Sequence, residues 1–222
     1  PRRRSATMKE HACHPGKLWP SLAQEQLLKA ALCDGEEALQ AFLTWRQGVD
    51  LEGELGYPVL RLLPLAYHNL QRLGLRDPLI GRLKGVYRRF WCENQALFFA
   101  MQPVMQHLRE AGVDLLMLKG APLVLSYYRN HALRPMSDFD FAVRMEHLPR
   151  AVELLKESGW TLRKELSADG LQFFHAALCM HGSLQVDVHY HFLRECVTPT
   201  ADQWFWSDVE AVDFQGLQAW QL

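Results

Sequence analysis

The sequence predicts an α+β fold in two parts, a helical front and a back half in which short strands alternate with helices. Three observations carry this. Apolar residues before Gly112 recur at helical spacing. Val113-Asp114-Leu115-Leu116-Met117-Leu118 is instead a short apolar run ending at Lys119-Gly120, the pattern of a buried strand. Asp138-Phe139-Asp140-Phe141-Ala142-Val143 alternates polar with apolar, the pattern of a half-buried strand.

The elements follow in order. Residues 1–16 are basic and polar without apolar period, and read as a loose tail. A helical region over 17–112 comes next. Ser21 is a plausible N-cap, and Leu22, Leu27, Leu28, Ala31 and Leu32 repeat behind it. A second helix over 36–47 carries Leu39, Phe42 and Leu43 on one face, and Gly48, Gly53 and Gly56 interrupt it. A third runs over 58–73 and stops at Gly74. A fourth, over 79–111, bears the stripe Val86, Phe90, Leu97, Phe98, Met101, Met105 and Leu108, and Pro103 is expected to kink or divide it. The α+β core is expected over 113–222. There a helix over 121–128 follows the first strand, and an amphipathic helix over 146–158 ends at Gly159. A meander then follows: strands over 160–167, 171–180 and 183–192, with turns at Asp169-Gly170 and His181-Gly182.

Composition bounds the function classes. Of 222 residues, 49% are hydrophobic and 22% charged, which excludes a disordered chain. Lys and Arg number 24 against 25 Asp and Glu, a net charge of -1, so a globally basic nucleic-acid binder is excluded while a local basic groove is not. No apolar run is long enough to span a bilayer, and no membrane partner is expected. The basic start has no apolar stretch behind it, so no signal peptide is expected. Five scattered cysteines without a CxxC pair fit free thiols and a cytoplasmic protein.

Three places can carry chemistry. Asp138 and Asp140 are i and i+2 on a strand, so both project to one face while Phe139 and Phe141 face the core. Two such carboxylates repel unless a proton or a cation intervenes, and a hard divalent ion such as Mg²⁺ suits oxygen ligands. In Gln185-Val186-Asp187-Val188-His189-Tyr190-His191, Asp187, His189 and His191 share a face. Beside the strand of Asp138 and Asp140, Asp187 would complete a carboxylate trio able to hold two metal ions for phosphoryl transfer. The third is Leu118-Lys119-Gly120-Ala121-Pro122, a strand-to-helix turn whose backbone N–H groups and lysine can meet phosphate. Each also has a plainer reading: a solvated strand end, a hydrogen-bonded aspartate, an ordinary turn.

Taken in order, Leu-Lys-Gly, the helix with Tyr127 and Tyr128, Arg134, Ser137-Asp138-Phe139-Asp140, the helix ending in Gly-Trp and the Val-Asp-Val-His strand resemble the uncharacterised nucleotidyltransferase family of the polymerase-β-like superfamily. Asn94 in the long helix fits the family's habit as well. The resemblance covers about 20–192 and is best over 113–192. It implies a small mixed sheet with flanking helices and transfer of a nucleoside monophosphate from an NTP with Mg²⁺, or Mn²⁺. Asp138, Asp140 and Asp187 match the metal-binding and catalytic carboxylates. Lys119 and Gly120 take the place of the phosphate-binding turn, with Arg134 and Ser137 near the phosphates and His189 behind Asp187.

Two departures stand out. The turn reads Gly120-Ala121 and lacks the superfamily's serine, and the spacing to Asp138 is long. Members also continue past the Val-Asp-Val-His strand with more helices, so part of a substrate wall is expected to be missing from 113–222. The acceptor could be a protein side chain, a small alcohol or an RNA end, and nothing in the sequence sets the oligomeric state. The alternatives are a catalytically weak or inactive member that binds a nucleotide or protein, and a Zn²⁺ site on Asp187, His189 and His191. A Cys179–His181 nucleophile is a weaker candidate. Trp204, Phe205 and Trp206 are expected to pack rather than stack bases.

Overall fold

The computed structural model describes residues 20–50, 53, 55–166, 171, 173–195, 198 and 200–222. The predicted tail, the Asp169-Gly170 turn, Cys13 and Cys196 lie outside them. Four helices open the fold: α1 (Leu22–Leu32), α2 (Gly35–Gln47), α3 (Tyr57–Arg72) and α4 (Ile80–Glu110). Ser21 caps α1 as expected, through a reciprocal pair of hydrogen bonds with Gln24. Leu27, Phe42, Trp45, Leu63, Leu70 and Leu83 close one core among these helices.

α4 runs undivided through Pro103, so the division that the proline could have caused does not occur. Proline leaves the carbonyl four residues earlier without its helical donor. Here that carbonyl belongs to Phe99, which is 77% exposed, so water can replace the lost bond. α4 spans 31 residues, roughly 46 Å, and so serves two cores. Its first half packs with α3, and Leu97, Phe98, Met101, Met105 and Leu108 in its second half pack on the sheet.

The fold is α+β, with a mixed sheet. Its strands are β1 (Leu115–Leu118), β2 (Phe139–Val143), β3 (Thr161–Leu162), β4 (Ala176–His181), β5 (Leu184–His189), β6 (Glu210–Phe214) and β7 (Leu217–Gln221). The seven lie in the order β3-β4-β5-β2-β1-β7-β6. β2 pairs antiparallel with β1 and parallel with β5, and β7 pairs parallel with β1. One face packs on α4 and on α6 (Leu148–Glu157) through Phe139, Phe141, Val186 and Val188. On the other face Leu116, Leu118 and Ala142 are covered by Phe192, Trp206 and Val209.

The meander is shorter than its sequence pattern. Among the described residues, the strand expected over 160–167 pairs only at Thr161–Leu162, and the one expected over 171–180 begins at Ala176. The β4–β5 turn is centred on Gly182-Ser183, with Gly182 at φ +59°. The β6–β7 hairpin was not expected. It turns at Gln215 and Gly216, both at positive φ. α7 (Gln203–Ser207) precedes it. Phe205 stacks on Phe192 with ring centroids 4.4 Å apart, and Arg144 lies 4.6 Å over the Trp206 ring. Trp204 is exposed.

Asn94 ties α4 to the loop that leads into β2. Fully buried, it donates from Nδ2 to the His131 carbonyl at 2.5 Å and the Arg134 carbonyl at 2.9 Å, and accepts from the Met136 N–H at 3.1 Å. Asn94→Ala leaves these backbone groups buried and unpaired. It should destabilise the protein by about 2–4 kcal/mol in urea unfolding, and a loss under about 1 kcal/mol would mean that other contacts hold the loop.

Candidate active site

The site forms where β1, β2 and β5 lie side by side. Asp140 on β2 stands in register with Asp187 on β5 and with Leu118 on β1. Residues opposite one another on neighbouring strands share a face, so the two carboxylates meet on one side while Phe139, Phe141, Val186 and Val188 fill the core on the other. His189, two residues along β5, joins them. Its Nε2 lies 2.9 Å from Asp140 Oδ1. Lys119 reaches in from the end of β1, placing Nζ 2.5 Å from the same Asp140 oxygen and 3.2 Å from His189 Nε2.

The Lys119 backbone is unusual. Its φ of 54° and ψ of -103° lie where a residue with a Cβ is strained. Gly120 follows as the first residue of a short helical turn, α5 (Gly120–Pro122), which continues as a π-helical segment, Leu123–Tyr128. A Cβ on Gly120 would stand 2.9 Å from Met136 Cγ. The missing side chain therefore lets the loop before β2 close against this turn.

The two aspartates differ electrostatically. Burial alone would raise the Asp140 carboxyl, but the hydrogen bonds from His189 and Lys119 and the lysine charge outweigh it and hold the carboxyl below the ordinary range. Asp187 is pushed the other way, first by burial, then by the charges of Asp140 and Asp138. Its Oδ1 is buried without a hydrogen-bond partner. One ligand atom from each of Asp140, Asp187 and His189 lies within 4.8 Å of the others. A buried carboxylate oxygen with nothing to bind, beside a second carboxylate and an imidazole, fits a divalent cation.

Asp138 lies one residue before β2 and stands apart from that trio. It is half-buried, its Oδ1 accepts a hydrogen bond from Ser137 Oγ at 3.1 Å, and its charge is felt at Asp187. Arg134 is half-buried and donates from Nη1 to the Pro135 carbonyl at 2.8 Å. His191 does not join the site. β5 ends at His189, and His191 Nδ1 instead lies 2.6 Å from Asp202 Oδ2, so a zinc set of Asp187, His189 and His191 is not assembled. Cys179 is buried, and burial pushes its thiol up to about 11, which makes it a poor nucleophile.

A family model for uncharacterised nucleotidyltransferases matches residues 59–222. The chain belongs to that family. The match takes in all but the first two residues of α3, then α4 and the sheet, and so every residue of the site. No curated protein and no solved structure matches the chain. For this nucleotidyltransferase family member, sequence reasoning missed the pairing of His191 with Asp202 and gave His189 only a supporting place. The signal for His189 was present in its i+2 spacing from Asp187. For Asp202, eleven residues from His191 in an irregular stretch, there was none.

Proposed function

We propose that the protein transfers a nucleoside monophosphate from an NTP to a hydroxyl group of an acceptor in a Mg²⁺- or Mn²⁺-dependent reaction. The observation that supports this best is the pair Asp140 and Asp187, in register on adjacent parallel strands, with Asp187 Oδ1 buried and unpartnered. Asp140, Asp187 and His189 would hold the ion, with Asp138 at its margin. Bound there, a divalent ion supplies charge stabilisation to the reacting phosphate.

The chain's own groups do the rest. The acceptor oxygen attacks the α-phosphorus, the bond to the β-phosphate oxygen breaks, and pyrophosphate leaves with its electron pair. The hydroxyl proton passes to Asp187, the carboxylate placed beside Asp140 and His189 where it can act as general base. Lys119 and the Gly120 turn hold phosphate oxygens, with Ser137 and Arg134 at the loop beside them. Lys119 is 54% exposed at its side chain, so it can turn from Asp140 to a phosphate, while His189 and the bound ion would keep the buried Asp140 carboxylate paired.

The test is incubation with α-labelled NTPs, Mg²⁺ or Mn²⁺, and a panel of proteins, small alcohols and RNA ends as acceptors. Label should pass to one acceptor class with release of pyrophosphate. Nucleotide binding in calorimetry that needs no divalent ion, with no transfer to any acceptor, would overturn this in favour of a non-catalytic nucleotide-binding member. The Gly120-Ala121 turn without a serine is the observation on that side.

A further inference from the structure

A second cationic feature lies beside the site, where the helical region meets the loop before β2. Arg61 on α3 and Arg134 in that loop line one pocket of about 340 Å³, walled by Leu62, Leu65, Tyr128 and Leu133. Both arginines are half-buried. Arg61 lies over the Tyr57 ring at 5.4 Å, and among the described residues the Arg134 side chain bonds only the Pro135 carbonyl. Among the described residues neither forms an ion pair with a carboxylate. Burial first, and then the Arg61 charge, hold the Arg134 guanidinium below its ordinary value, and Tyr128, Tyr57 and Asp138 only partly offset this.

Two unpaired guanidinium groups at one half-dry cavity repel each other and lose hydration. An anion between them reverses both costs. Arginine's planar fork matches the oxygens of a phosphate, two at a time. The place is also right. Four residues join Arg134 to Asp138, at most about 14 Å of extended chain, and the Asp138 charge is felt at Arg134.

We infer that Arg61 and Arg134 form an oxyanion subsite that takes a phosphate group of the substrate, so that the helical region builds part of the substrate site. That the phosphate belongs to an NTP rests on the function proposed above, whereas the anion subsite does not. Two sources share the chemistry: the terminal phosphates of the nucleotide and a phosphate on the acceptor.

The experiment is calorimetric titration of the wild-type chain and of Arg61→Gln with tripolyphosphate, ATP and AMP. Circular dichroism and the unfolding midpoint show that the variant is folded, and Arg61→Lys serves as a second variant that keeps the charge but not the fork. Tripolyphosphate and ATP should bind Arg61→Gln about tenfold more weakly than wild type, the loss of one charge-assisted contact, with AMP unchanged. A loss for tripolyphosphate with ATP unchanged keeps the subsite and assigns it to a phosphorylated acceptor. Tripolyphosphate binding equal in wild type and Arg61→Gln, or absent from both, overturns the subsite and leaves the nucleotidyltransferase reading standing. Wild type that binds tripolyphosphate through Arg61 but binds no nucleotide keeps the subsite and overturns that reading instead.

Discussion

Asp140→Asn should yield a folded protein whose nucleotidyl transfer falls by at least about 10³-fold, because a carboxylate that would hold the ion is replaced by a neutral amide and several kcal/mol of charge stabilisation goes with it. The fold should survive. Asparagine keeps an oxygen for His189 and has nearly the volume of the aspartate it replaces. Lys119, half-exposed, can turn to water. The stability cost should be about 1–3 kcal/mol at neutral pH, the worth of hydrogen bonds to a charged group. Its sign with pH follows from the lowered carboxyl. The wild type's advantage is present above the ordinary carboxylate value and is lost as pH falls through the lower folded value. Urea unfolding of both proteins between neutral and acid pH measures this. A variant that still transfers label at a tenth of the wild-type rate or more would remove Asp140 from the site.

The parts of this site that sequence reveals are those set by strand period. Phe139 and Phe141 on one side and Asp138 and Asp140 on the other follow from alternation alone, and so do Val186 and Val188 against Asp187 and His189. What alternation cannot supply is which strands are neighbours. Asp140 and Asp187 meet because β5 pairs parallel with β2, a long-range choice that follows from the crossover through α6, β3 and β4. Nor does it say where a strand begins. Asp138 stands one residue outside β2, so it falls outside the trio that its spacing suggested, and His189 falls inside. The β6–β7 hairpin was legible in principle. Val212 and Phe214, then Leu217 and Ala219, alternate around Gln215-Gly216. Arg61 carried no signal, since an arginine among leucines on a helix is the ordinary look of a solvent-facing residue.

Asp187→Asn should separate stability from function in the opposite direction from Asp140→Asn. Asp187 is held above its ordinary value by burial and by the neighbouring Asp140 and Asp138 charges, so its ionised form opposes folding. For a carboxylate with a raised folded value, the native state binds the extra proton, and stability falls as pH rises from the ordinary value, about 3.9, through the folded one. Asparagine at 187 removes that penalty and can donate an N–H toward Asp140. The metal-free variant should therefore melt above wild type at neutral pH, by a few degrees, given about 2–4 °C per kcal/mol for a chain of this size. The gap should close below the ordinary carboxylate value, where wild-type Asp187 is protonated whether folded or not. Function should move the other way. Mg²⁺ or Mn²⁺ should raise the wild-type melting temperature, since a ligand that binds only the folded state stabilises it. The variant should show no such rise, and its transfer should fall as steeply as that of Asp140→Asn. Thermal unfolding with and without the ion, at acid and neutral pH, tests both halves. A variant less stable than wild type at neutral pH would mean that Asp187 is satisfied in the folded chain and is no destabilised site carboxylate. An undiminished response to the ion would mean that the cation is held elsewhere.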